Sequence, residues 1–76
     1  MELENLVHMA NRIGEFFDAM PDREEAREGI ATHIRRYWEP RMRKQLLDHL
    51  GEASESGLNA LVAEAIRSRR EALEVR

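Results

Sequence analysis

The sequence predicts an all-α fold, a small bundle of three to four short helices, on three observations. Four segments repeat apolar residues at intervals of three and four, and no segment shows the apolar-polar alternation of a strand. Pro21, Pro40 and Gly51 punctuate the chain between the repeats. With 76 residues the chain is long enough for one helical domain, 1–76, with a thin core. A domain of this size buries only about 60% of the surface that its unfolded form exposes.

The first helix is expected at about 3–19, where Leu6, Met9, Ala10, Ile13, Phe16, Phe17 and Met20 recur opposite Glu4, His8, Asn11, Arg12, Glu15 and Asp18. Its apolar arc, from Phe16 round to Leu3, Gly14 and Val7, covers roughly half the circumference, against ~100° for an ordinary surface helix. One neighbouring helix cannot cover it. Pro21 cannot continue this helix, and Asp22 with Glu25 three residues on makes a capping box, so a second helix is expected at about 23–38. Its inward residues are Ala26, Ile30, Ile34 and Tyr37, flanked by His33 and Trp38, while Arg35 and Arg36 fall on the outer sides.

Glu39 is pushed out of the helical region by the proline that follows it, and Pro40 suits the first position of a third helix, about 40–50. That helix buries Met42, Leu46, Leu47 and Leu50 and stops at Gly51. "GEASESG", 51–57, reads as a flexible linker. Asn59 then caps a fourth helix of about 60–73, with Val62, Ala65, Ile66 and Leu73 on one stripe and Leu58 as a hydrophobic staple. The final residues, 74–76, are expected to fray.

The chain holds no Cys, which removes disulfides, thiolate nucleophiles and cysteine-ligated metals. It begins with acidic residues and has no apolar run near ~18 residues, so the expected location is the cytoplasm. His8, His33 and His49 fall on three different helices, without a partner at metal-motif spacing. Glu24, Glu25 and Glu28 lie in the first turns of the second helix, where the helix dipole accounts for them. No glycine-rich phosphate loop or serine nucleophile motif is present. The expectation is a chain that is not an enzyme and binds no cofactor or metal.

Charge is the more informative feature. Net charge is −3, but it comes in blocks: −5 over 1–34, +4 over 35–44, −4 over 45–66 and +2 over 67–76. Such blocks suit docking on another charged surface, or pairing between the protein's own helices. "HIRRYWEPRMRK", 33–44, gathers five of the twelve basic residues with the only Trp and the only Tyr. One reading is a small nucleic-acid-binding regulator, with Arg35, Arg36, Arg41, Arg43 and Lys44 on phosphates and an aromatic for stacking. Against it stand the acidic flanks and a single Glu-Pro step where a helix-turn-helix has three or four residues. Another is a self-associating helical module that buries the arc of the first helix.

Arg43 falls among Met42, Leu46, Leu47 and Leu50, and Arg69 between Val62, Ile66 and Leu73. Each either snorkels along its stem or meets a carboxylate, internal or on a partner. With the wide arc, this favours a protein that lies against another protein. The anchor is the bend, because Trp and Arg dominate interface energetics. The candidate interface residues are Arg35, Arg36, Trp38, Arg41 and Arg43.

"LVHMANRIGEFF", "GIATHIRRYWEPRMRKQLLDHL" and "GLNALVAEAI" together resemble the delta subunit of soluble, NAD-dependent, molybdenum-containing formate dehydrogenases, over roughly residues 5 to 67. The family pattern usually has Phe-Trp-Asp-Pro where this chain has Tyr37, Trp38, Glu39 and Pro40. The resemblance implies a non-catalytic accessory subunit that supports assembly or stability of the complex. It implies protein partners, the large alpha subunit foremost. The molybdenum bis-pterin centre, iron-sulfur clusters, FMN and NAD site are then carried by the other subunits.

Overall fold

The structure, a computed structural model, describes residues 2–52 and 57–74, with the side chains of all but 50–52 among them. These residues form α1 (Leu3–Phe17), α2 (Arg23–Tyr37), α3 (Pro40–Glu52), α4 (Ala60–Ser68) and α5 (Arg70–Leu73), with no strand among the described residues. The fold is a small all-α bundle. Residues 53–56 of the expected linker, the Leu50 side chain and residues 75–76 of the expected frayed end lie outside the described residues.

Local chemistry accounts for the helix starts. The Asp22 carboxylate accepts the backbone N–H groups of Glu24 and Glu25 at 2.9 and 3.4 Å, capping α2. Pro40 opens α3 because the first turn needs no N–H from it, and the Glu39 carbonyl accepts from Met42 and Arg43 at 3.0 and 3.1 Å. α4 starts differently from expectation. The Asn59 side chain makes no capping bond; instead its N–H donates to Asn11 Oδ1 at 2.8 Å, while Asn11 Nδ2 donates to the Gly57 carbonyl at 3.0 Å. A side chain of α1 thus clamps the approach to α4.

All four expected helix ends move, α1 stopping at Phe17 and α2 at Tyr37 rather than at 19 and 38. α3 runs through Gly51 to Glu52, and the left-handed glycine of this region is Gly57, at φ +81°. The expected fourth helix divides at Arg69, whose φ of −117° and ψ of 24° leave the helical region. Ser68 supplies a reason: its hydroxyl donates to the Ala65 carbonyl at 3.2 Å, a back-bond that bends helices. The short α5 then carries Leu73 into the core.

α2 sits centrally and packs on α1, α4 and α5, while α1 also meets α3 and α4. Leu6, Ile30, Ile34, Leu46, Val62, Ile66 and Leu73 fill the space between them with essentially no exposure. α1 and α4 approach so closely at Gly14 that a Cβ there would overlap Val62 Cγ2. Three helices cover the wide arc of α1, but its far edge stays bare: Phe16 is 75% exposed.

Candidate functional site

The bend between α2 and α3 is built around Trp38. Its backbone closes α2, the N–H donating to the Ile34 carbonyl at 2.9 Å, and then turns extended at φ −88° and ψ 138°. That turn swings the indole inward, leaving it 5% exposed among the core residues. Tyr37, still helical, points outward with 67% exposure and lies 4.8 Å from the His33 ring. Tyr37, expected inward, is therefore exposed, and Trp38, expected at the flank, is buried. A helical wheel cannot place Trp38, because Trp38 is the residue at which the helix ends.

Of the remaining candidates, Arg35, Arg36 and Arg41 are exposed around this bend. None of the three forms an ion pair among the described residues. Arg43 is half-buried, and its Nε is buried without a hydrogen-bond partner. Lys44 pairs with Asp48 one turn on, at 2.9 Å. The bend thus presents three guanidinium groups above a buried indole, an arrangement that can hold carboxylates of another surface bidentately.

Arg69 resolves differently from Arg43. Its Nη2 donates to Glu24 Oε2 at 2.8 Å, so it ties α4 to α2 within the chain. Glu24 also accepts from Arg27 Nη2 at 2.6 Å. Arg27 in turn reaches Glu64 Oε1 at 3.2 Å, and Arg23 grips Glu64 through Nε at 3.0 Å and Nη2 at 2.8 Å. The two-pronged bond from Arg23, with Arg27 beside it, lowers the Glu64 carboxyl from 4.5 to about 2, against partial desolvation that pushes the other way. The Glu24 carboxyl is also held low, by Arg27 first and then Arg69. Glu24 therefore does more than complement a helix dipole. The signal for this clasp lies in Arg23 and Arg27, two guanidiniums one turn apart on a helix.

Among the described residues, no three His, Asp or Glu side chains are grouped so as to hold a metal ion. No helix among them is long and apolar enough to cross a membrane. The family described as "NADH-dependent formate dehydrogenase delta subunit FdsD" matches residues 5–66, a span that includes the bend and all of α2 and α3. No curated protein and no solved structure matches the chain.

Proposed function

The chain belongs to the family of NADH-dependent formate dehydrogenase delta subunits, and from that membership we propose a non-catalytic accessory subunit that docks on the dehydrogenase and supports its assembly or stability. The match over 5–66 carries this reading. The large alpha subunit is the partner, the complex works in the cytoplasm, and the molybdenum centre, iron-sulfur clusters, FMN and NAD site reside on the other subunits. Arg35, Arg36 and Arg41 make the charged contacts of docking, with Arg43 beside them. Trp38 acts from beneath as a positioning residue: buried at the bend, it sets the angle at which α3 leaves α2 and hence the spread of the guanidiniums.

Purifying the dehydrogenase from cells with and without this chain tests the proposal. Native mass spectrometry is expected to find the chain in the intact, formate-oxidising complex. Its deletion is expected to lower the yield or lifetime of that complex while leaving activity per molybdenum unchanged. A complex whose assembly and lifetime are indifferent to the deletion refutes the accessory role. Lost activity per molybdenum in a fully assembled complex refutes its non-catalytic character.

A further inference from the structure

Beside the basic bend, the surface between α1 and α2 holds a groove of about 440 Å³. Phe17, the last residue of α1, and Met20 in the turn that follows form one wall, and Gly29, His33 and Tyr37 of α2 form the other. Phe17 lies so close to α2 that a Cβ on Gly29 would stand 2.5 Å from its ring. Across Phe17 and His33 the apolar surface continues into a second depression lined by Ile13 and Phe16. Phe16 packs edge-on to Phe17 at 5.1 Å between ring centroids. Isolated exposed apolar residues are ordinary, but here Phe16, Tyr37 and Met20 are exposed and joined by shared neighbours.

The groove has a length and a charge polarity. Its α2 side runs from Glu25 and Glu28 at one end to Arg36 at the other, about three turns or roughly 16 Å. An amphipathic helix lays apolar residues at three- and four-residue spacing into such a helix-helix groove. Helices favour acidic residues in their first turn and basic residues in their last. A helix so charged meets both ends of the groove only when it runs antiparallel to α2, its acidic start at Arg36 and its basic end at Glu25 and Glu28.

We infer that this groove receives one amphipathic helix of the dehydrogenase, about three turns long, acidic at its start and basic at its end, running antiparallel to α2. This inference rests on the accessory-subunit reading and names the surface and the partner element. Phe16 and Tyr37 supply the aromatic anchors, and Arg36 joins the groove to the basic bend.

The test uses the full-length chain and purified dehydrogenase lacking it. Phe16→Ser with Tyr37→Ser replaces two exposed side chains, and circular dichroism confirms that helicity is kept. The expected loss is at least about tenfold in affinity, as for truncated interface anchors. A photo-crosslinking phenylalanine analogue at 16 is expected to join a helical peptide of the dehydrogenase with the stated charge order. Undiminished binding by the double variant overturns the groove alone, whereas failure of the unaltered chain to bind overturns the groove and the docking reading together. A crosslink to a strand, or to a second copy of this chain, also overturns the inference.

Discussion

Tyr37 and Trp38 are adjacent in sequence and opposite in environment, one 67% exposed and one 5%. Removing each should therefore cost very different amounts. Trp38→Ala leaves a cavity in the core where α2 ends, and a loss of about 3–5 kcal/mol is expected. A domain of this length holds only about 4–11 kcal/mol in all, so that variant should be largely unfolded on warming. Tyr37→Ala should stay within about 0.5 kcal/mol of the unaltered chain. Urea denaturation of both variants checks the pair, and equal losses would contradict the placement of the two rings. The sequence made the aromatic bend visible but not this division. The wheel treats residue 38 as helical, while the extended backbone of Trp38 reverses its direction. Arg69 was ambiguous for a related reason, since its carboxylate partner, Glu24, lies 45 residues away in the chain.

Between elements, the same glycine substitution should have two outcomes. In a helix interior Gly→Ala ordinarily stabilises by about 1 kcal/mol. At Gly14 the added methyl overlaps Val62, which is fully buried and cannot retreat, so Gly14→Ala should destabilise by about 1–3 kcal/mol. At Gly29 the obstacle is the ring of half-buried Phe17 near the end of α1, which can swing outward. Gly29→Ala should therefore be near neutral, and thermal melts of the two variants measure the contrast. The α2–α4 clasp makes a pH prediction. Glu64 titrates near 2 when folded and near 4.5 without its partners. Its contribution is thus fully present above about 4.5 and lost as pH falls towards 2. Melting temperature should fall through that window, and less steeply in Glu64→Gln; parallel slopes would show that the clasp does not stabilise the fold. Helix starts at Asp22 and Pro40 were legible because caps and prolines act on their own turn. The Asn11 clamp and the break at Arg69 were not, because each depends on a side-chain bond that a periodicity pattern does not encode.

On the scale of the molecule, charge separates into an internal and an external share. Arg23, Arg27 and Arg69 are spent on Glu24 and Glu64, stapling α2 to α4. Arg35, Arg36 and Arg41 remain exposed around the bend, next to an apolar groove that ends at Arg36. The radius of gyration, 11.2 Å, matches the ~11 Å expected of a self-contained domain of this length, so the two surfaces are carried on one compact support. They should act at different stages of binding. Exposed charge steers encounter and is screened by salt, whereas desolvated apolar anchors resist departure. Arg35→Glu with Arg41→Glu is accordingly expected to slow association with the dehydrogenase by about tenfold at low salt and to flatten its salt dependence. Phe16→Ser with Tyr37→Ser should leave association nearly unchanged and speed dissociation by about tenfold or more. Surface-plasmon kinetics from about 50 to about 300 mM salt separate the two. If the charge-reversed chain instead associates normally and dissociates faster, the guanidiniums are buried contacts rather than steering groups, and the bend, not the groove, is the seat of affinity.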